Sequence, residues 1–154
     1  MSEKKKALIE TATRLFSQFG FHAVGIDRII AESRVAKMTM YKHFPSKSRL
    51  VIEVLNEQGA AFAAGIAAAV AAHTDALDKL QAIFQWHDAW FRSETFTGNV
   101  LIHAAAEFHA QENEILSASK AQRDAFVDSL RRILGERFDR DTAERLARRC
   151  ALLL

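Results

Sequence analysis

The stretch that decides the fold is residues 26–47, which read IDRIIAESRVAKMTMYKHFPSK. Apolar residues at helical spacing predict two short helices, over residues 26–33 and 36–43, and Pro45 ends the second. Only Arg34 and Val35 separate them. Two short helices joined so closely have the geometry of a helix-turn-helix, whose second helix fits a DNA major groove about 12 Å wide. Residues 36–43 are therefore predicted to be a recognition helix.

The rest of the chain also has helical periodicity. Upstream, apolar residues between Leu8 and Phe19 recur at spacings of three and four, and Gly20 ends that helix. Downstream, Ser46 is expected to cap a helix over residues 47–72, and further helices are predicted near residues 75–93, 99–109, 113–138 and 141–154. No segment alternates with a period of two, and the chain contains one proline and six glycines. The predicted fold class is all-α.

The distribution of charge separates the N-terminal region from the rest. Residues 1–50 contain ten Lys or Arg and four Asp or Glu, whereas residues 51–154 contain eleven and fifteen. A basic region of this kind is expected to meet a polyanion. One cysteine, Cys150, cannot form an internal disulfide, and the uncharged run 59–72 is shorter than the roughly 20 residues that span a bilayer. These features predict a soluble, cytoplasmic protein with no membrane partner.

Several side chains of the predicted recognition helix and its flank suit phosphate binding. The ammonium groups of Lys37, Lys42 and Lys47 can neutralise phosphates, and the hydroxyls of Thr39 and Tyr41 can donate hydrogen bonds to phosphate oxygens. Backbone N–H groups at the start of the fourth helix can hold a further phosphate. The expected partner is therefore double-stranded DNA.

Residues 31–47, AESRVAKMTMYKHFPSK, resemble the signature of the TetR/AcrR family of bacterial repressors. The resemblance covers about residues 5–55, and Leu15-Phe16 and Gly20-Phe21 stand where the family's first helix ends. It implies an all-helical homodimer with a three-helix DNA-binding domain, placed at residues 1–46. A larger helical domain for ligand binding and dimerisation would follow at 47–154.

The same resemblance implies roles for single residues. Positions matching Lys37, Met38 and Thr39 lie against base edges in the family, and those matching Tyr41 and Lys47 hold phosphates. With the two remaining polar residues of the helix, the predicted DNA-binding set is Lys37, Met38, Thr39, Tyr41, Lys42, His43 and Lys47.

Three positions depart from the family pattern. Arg34 replaces the turn glycine, so a left-handed conformation there would cost about 1 kcal/mol. Ala36 replaces the usual Ser or Thr cap of the recognition helix, which forgoes about 1 kcal/mol. Asp27 stands where an arginine is frequent, with Arg28 beside it. These departures bear on the base contacts rather than on DNA binding itself.

The resemblance also implies a ligand cavity in the larger domain. A mostly apolar cavity with a few polar groups is typical of small-molecule sites, and the predicted ligand-binding set is Phe62, Phe84, His87, Trp90, Phe91, His103 and Glu107. Aromatic residues at helical spacing are equally compatible with an ordinary core. His103 and Glu107, at i and i+4, could also bind a metal with His87 or His109 as third ligand, although an exposed ion pair explains this spacing as well. No metal or cofactor is predicted.

The leading hypothesis is a transcriptional repressor that a small apolar or aromatic effector releases from a palindromic operator. One alternative is a DNA-binding adaptor that recruits a protein partner without an effector, and another is a helical bundle with an incidental basic head. No nucleophile motif or phosphate-binding glycine loop is present, so an enzyme is not predicted. The chain ends where the family's final helix is expected, which predicts a truncated C-terminus and a homodimer formed by residues from about 113 onward.

Overall fold

A computed structural model describes residues 2–94, 96, 98–108 and 113–154, with the side chain of residue 113 excepted. These residues form eight α-helices and no strand, which confirms the all-α prediction. In chain order the helices are α1 Glu3–Phe19, α2 Ile26–Ser33, α3 Lys37–His43, α4 Lys47–Val70, α5 Ala76–Phe91, α6 Val100–Glu107, α7 Asn113–Gly135 and α8 Arg140–Leu153.

Capping side chains explain where several of these helices begin. The side chains of Ser2, Asp75, Asn99 and Asp139 each accept a hydrogen bond from a backbone N–H in the first turn of α1, α5, α6 and α8. At the other end of α1, Gly20 has φ 80°, a conformation that favours glycine. The helix bounds lie within about three residues of those predicted, because caps and breakers are local signals.

Two compact units divide the chain. The first comprises Met1–Gln58 and Thr97–Lys120, and the second comprises Gly59–Phe96 and Ala121–Leu154. Helices α4 and α7 each contribute residues to both. The predicted boundary between a DNA-binding domain and a ligand-binding domain, after residue 46, does not coincide with these packing units. It concerns function rather than packing and stays a prediction.

The core of the first unit is built on the apolar face of α1. Leu8, Ala12, Leu15 and Phe16 have no exposed surface, and Ile9 of the same helix is also buried. The other buried members of this core come from α2 to α4, α6, α7 and the segments that directly flank α2, α3 and α6. Burying a leucine or phenylalanine side chain completely stabilises the unit by about 1.5–3 kcal/mol each. This core is the support on which α2 and α3 are held.

The core of the second unit is smaller and lies among α4, α5, α7 and α8. Its buried members are Ile66, Ile83, Leu130, Leu134, Ala143 and Ala147. Two ion pairs join the start of α5 to the end of α7, from Lys79 to Glu136 at 2.6 Å and from Arg137 to Asp75 at 3.2 Å.

Among the described helices, α4 alone is long and apolar enough to cross a bilayer by length and composition, with a mean hydropathy of 1.2 over its most apolar window. Length and hydropathy do not separate a membrane span from the core helix of a globular unit. The buried residues Leu50, Val54 and Leu55 of α4 belong to the first core, and Ile66 belongs to the second. The apolar character of α4 is therefore used in packing.

Candidate nucleic-acid interface

Helices α2 and α3 pack on α1 as a helix-turn-helix. Ile29 of α2 and Met40 of α3 are fully buried, and Val35 in the turn and Phe44 after α3 are 7% and 3% exposed. Because Met40 and Phe44 are four positions apart, they lie on one face of the α3 segment. Their burial directs the opposite face of α3 toward solvent. Val35, Met40 and Phe44 therefore belong to the core of the first unit.

The turn contains the strained residue that its sequence predicts. Arg34 has φ 56° and ψ 26°, and it is the one non-glycine residue with positive φ in the described part of the chain. Ser33 supports the turn, because its hydroxyl donates to the Ile30 carbonyl at 3.2 Å and accepts from the Val35 N–H at 3.4 Å. Ala36 begins α3 without a side-chain cap. Both departures from the family pattern thus carry their expected local costs.

The outward face of α3 presents a mixed apolar and polar surface. Met38 is 85% exposed and Tyr41 is 43% exposed. Lys37 and Lys42 are exposed, whereas Thr39 and His43 are half-buried. A thioether with this exposure can contact a thymine methyl group, and the other side chains can hydrogen-bond to bases or phosphates. The structure thus brings six of the seven predicted DNA-binding residues onto one short helix.

The seventh predicted residue, Lys47, is half-buried at the start of α4. Ser46 precedes it and accepts a hydrogen bond from the Arg49 N–H at 3.2 Å, which confirms Ser46 as the cap of this helix. A helix start of this kind favours an anion near its first N–H groups. Lys47 therefore has the position and charge expected of a phosphate contact.

Ion pairs reduce the positive charge that this region offers. Lys37 Nζ lies 3.2 Å from Asp27 Oδ1, which joins the first turns of α3 and α2. Glu32 is bound at 2.6 Å by Arg14 and at 2.9 Å by Arg28. The hydrogen bonds from Arg14 and then Arg28 hold the pKa of Glu32 below its usual value, so it stays ionised. Sequence reasoning identified Asp27 as unusual but not as the partner of Lys37.

The start of α1 is attached to the end of the recognition helix, which sequence reasoning missed. Ser2 Oγ lies 3.4 Å from His43 Nε2. Lys5 forms an ion pair with Glu53, and its ammonium group lies 5.8 Å from the centre of the Phe44 ring. His43 is thus held against the start of α1 as well as lying on the recognition helix. The residues in these contacts are about 40 or more positions apart in the sequence, so no local pattern predicts the contacts.

Glu107 has a structural role within the first unit. Its Oε2 accepts hydrogen bonds from the Phe21 N–H at 2.8 Å and the His22 N–H at 3.1 Å, and its carbonyl accepts from His22 Nε2 at 2.9 Å. A side chain at Gly20 would collide with this carboxylate, since a Cβ there would lie 2.8 Å from Glu107 Oε1. The end of α6 is therefore tied to the loop between α1 and α2.

These bonds bear on the metal alternative, because they occupy the carboxylate that would be a ligand. The described residues include no cluster of three metal-ligating side chains. His109, the third ligand considered, lies outside the described residues. His103 is half-buried and belongs to the first unit together with Glu107.

The other five predicted ligand-binding residues belong to the second unit, where an aromatic group surrounds His87. Phe62, Trp90 and Phe91 lie 5.3, 6.3 and 6.0 Å from the His87 ring between ring centres. Phe84 is half-buried on the same helix. Trp86, another aromatic residue of α5, lies 5.1 Å from His87, and Phe126 of α7, which the prediction did not include, lies 5.7 Å from it. The roles of these residues in ligand binding remain predictions.

Comparison with known proteins agrees with this architecture. Residues 8–54 match the family model described as bacterial regulatory proteins of the tetR family. The chain is 41% identical over 56 residues to the uncharacterized HTH-type transcriptional regulator YuxN of Bacillus subtilis, covering 36% of this chain and 19% of that protein. It is 34% identical over 84 residues to the HTH-type transcriptional regulator LmrA of the same organism, covering 54% and 45%. The chain thus spans less than half the length of these two relatives.

A solved structure extends the likeness over the whole chain. The TetR-family transcriptional regulator SCO4454 of Streptomyces coelicolor superposes with a TM-score of 0.83 at 26% identity, covering 98% of this chain and 93% of that one. The proteins matched are named as regulators rather than enzymes, in agreement with the prediction of a protein without catalysis. By sequence, residues 8–54 are thus a DNA-binding segment of the tetR family of bacterial regulatory proteins, and the helical fold of the chain is similar to that of a TetR-family regulator.

Proposed function

We propose that the protein is a cytoplasmic transcriptional regulator that binds DNA sequence-specifically through α3. The observation that carries the proposal is the division of this helix into two faces. Met40 anchors the inner face at zero exposure, while Met38 and Tyr41 project from a rigid support with polar neighbours beside them. Side chains held in this way can read base edges without first being ordered.

A lysine substitution tests the proposed interface. Lys47→Ala removes a candidate phosphate contact, so log K for a bound duplex should depend on log salt with a slope about 0.9 shallower. Lys120→Ala is the matched control, because Lys120 is an exposed lysine of α7 outside the helix-turn-helix. Fluorescence anisotropy with a duplex selected from random DNA measures both slopes. Equal slopes for the Lys47 variant and the unaltered protein would contradict the interface.

We further propose that the protein acts as a homodimer on a palindromic operator. Two recognition helices in one dimer would enter successive major grooves about 34–36 Å apart. Support comes from α8, where Leu152 and Leu153 are 86% and 75% exposed, a surface that a second copy would cover. Sedimentation should show a dimer at micromolar concentration, and Leu153→Asp should shift it toward monomer. A stable monomer of the unaltered protein would contradict this part of the proposal.

The regulatory role that we propose is repression relieved by a small apolar or aromatic effector. The aromatic group around His87 supports it, since partly exposed rings around a buried polar group resemble a small-molecule site. An effector can release DNA only as far as it binds the two states differently. In a reporter strain, an operator-driven gene should be silent until a compound that stabilises the protein in a thermal-shift screen is added. Expression that rises with the protein alone would instead indicate an activator.

A further inference from the structure

Met38, the second residue of α3, is an apolar side chain that the protein presents to solvent. It is 85% exposed, the highest value among the described large apolar residues of the first unit, whereas Met40 of the same helix has no exposed surface. Packing thus uses Met40 and leaves Met38 outside the core. A single exposed apolar residue is common on protein surfaces, so its meaning depends on where it lies.

The position of Met38 on α3 is that of a base contact. Tyr41 and Lys42 follow it at three and four positions, so the three side chains share one face of the helix, and all three are exposed. In a helix-turn-helix, the N-terminal residues of the recognition helix contact base edges. Hydroxyl and ammonium groups such as those of Tyr41 and Lys42 bind phosphates instead. Met38 therefore lies where bases are read, one turn before groups that suit the DNA backbone.

The residues on either side of Met38 are restrained. Lysine can read the acceptors of guanine, but the Lys37 ammonium group lies 3.2 Å from Asp27 Oδ1 and is drawn toward the start of α2. Thr39 is half-buried. The thioether of Met38 forms no ion pair, so its side chain stays available in the first turn of α3.

The chemistry of the major groove offers one partner that suits this side chain. Besides hydrogen-bonding atoms, the groove displays a single kind of apolar group in unmodified DNA, the C5 methyl group of thymine. Methionine is flexible and its sulfur is only a weak acceptor, so against a polar base edge it would displace water without replacing the hydrogen bonds. Against a methyl group it buries apolar surface of both partners. The same methyl group occurs on 5-methylcytosine.

We propose that Met38 recognises the C5 methyl group of a pyrimidine in the major groove, supplied by thymine or by 5-methylcytosine. This inference rests on the proposed binding of DNA through α3, and it names the base feature that the helix reads. The affinity of the protein for its site then depends on a methyl group and not only on the hydrogen-bonding pattern of the bases.

Replacing thymine with uracil tests the proposal, because the two bases differ only in the C5 methyl group. In a duplex selected from random DNA by the unaltered protein, each thymine is replaced singly and the affinity is measured by fluorescence anisotropy. At one or more positions binding should weaken about fourfold, the effect expected for the burial of one methyl group. A scan in which no replacement weakens binding, or a selected site without thymine, would overturn the proposal.

Substitutions assign the effect to Met38. In Met38→Gln, which has a similar length and a polar end, the fourfold preference for thymine over uracil should disappear, whereas Met38→Leu should keep it. Leu77→Gln is the matched control with an unchanged preference, since Leu77 is 42% exposed and is the second residue of α5. If Met38→Gln keeps the preference, another side chain reads the methyl group and the assignment is overturned. Circular dichroism checks folding, and Met38→Ala provides the same comparison should the glutamine variant fail to fold.

Modified base pairs distinguish the two sources of the methyl group. At the position found by the scan, a pair of guanine with cytosine is compared with a pair of guanine with 5-methylcytosine, which again differ only in the C5 methyl group. Binding that is about fourfold tighter to the methylated duplex would show that the methyl group of either pyrimidine is recognised. Equal affinities would restrict the recognition to thymine.

Failure of this inference is distinguishable from failure of the proposed function. If a duplex is selected and Lys47→Ala makes the salt dependence shallower while the uracil scan has no effect, DNA binding through the helix-turn-helix stands and methyl recognition is wrong. If no duplex is enriched from random DNA, the proposed sequence-specific binding is wrong and this inference fails with it.

Discussion

Replacing Asp27 with asparagine tests how strongly α2 restrains the charge of the recognition helix. Asp27 Oδ1 lies 3.2 Å from Lys37 Nζ, and the two side chains are 85% and 63% exposed. Asparagine has nearly the same size and no charge, so the variant removes the ion pair without disturbing the packing of α2. We expect tighter DNA binding and a steeper dependence on salt, because Lys37 becomes available to a phosphate.

The exposure of the pair sets the magnitude. Exposed ion pairs are worth about 0–1 kcal/mol, so releasing Lys37 increases affinity by no more than about fivefold. Removing a negative charge near the DNA adds a smaller gain, because the Debye length at 0.1 M salt is about 10 Å. The expected total at this salt concentration is tighter binding by up to about tenfold. One additional phosphate contact should make the slope of log K against log salt steeper by about 0.9.

The measurement is a salt titration by fluorescence anisotropy, with a duplex selected from random DNA by the unaltered protein. Asp88→Asn is the matched control, since Asp88 forms an exposed pair with Arg92 at 2.9 Å on α5, and it should change neither affinity nor slope. If Asp27→Asn leaves both quantities unchanged, Lys37 does not meet a phosphate. Weaker binding would show that Asp27 positions Lys37 for its DNA contact, and the reasoning would be refuted.

Three further predictions concern the strained backbone of Arg34, the hydrogen bonds of Glu107 and the buried ring of His87. Arg34→Gly should raise the free energy of unfolding in urea by up to about 1 kcal/mol with an unchanged m-value, since it removes left-handed strain; lower stability would reveal an unrecognised Arg34 contact. Glu107→Gln should lower the free energy of unfolding by about 1–2 kcal/mol. It should also accelerate hydrogen exchange of the Phe21 and His22 amides, which donate to the carboxylate, and unchanged exchange would count against these two hydrogen bonds. Burial lowers the pKa of His87, so on acidification this histidine is protonated in the unfolded chain before it is protonated in the folded protein. The free energy of unfolding should therefore fall as the pH drops below the ordinary histidine value of about 6.5, until folded His87 is also protonated. The His87→Phe variant should lack this part of the pH dependence.

Local sequence patterns were sufficient to predict the helices and the exposed face of α3. Apolar spacing, caps and the single proline predicted eight helices near their observed bounds, because each signal acts within about one turn. The predicted DNA-binding set includes Met38 and Tyr41, which are exposed, and leaves out Met40 and Phe44, which are buried. The candidate DNA-binding face could thus be predicted nearly whole.

Contacts between distant residues could not be predicted in this way. Lys37 and Asp27 are ten positions apart across a turn, and Glu107 lies 85 positions from His22. Neither separation corresponds to a helical neighbour, so the patterns of α2 and α6 contain no sign of the pairing. Phe126 was missed from the aromatic group around His87 for the same reason, because its position is decided by the packing of α7.

The sequence by itself determined the all-α fold, the helix-turn-helix and its outward side chains, since helix periodicity and turn chemistry act between near neighbours. Tertiary structure alone decided that Lys37 is paired with Asp27, that Glu107 holds the loop before α2, and that His87 is the buried centre of an aromatic cluster. Those outcomes depend on which helix faces meet. The stretch at residues 26–47 thus specifies its own shape, while its available charge depends on how its two helices pack.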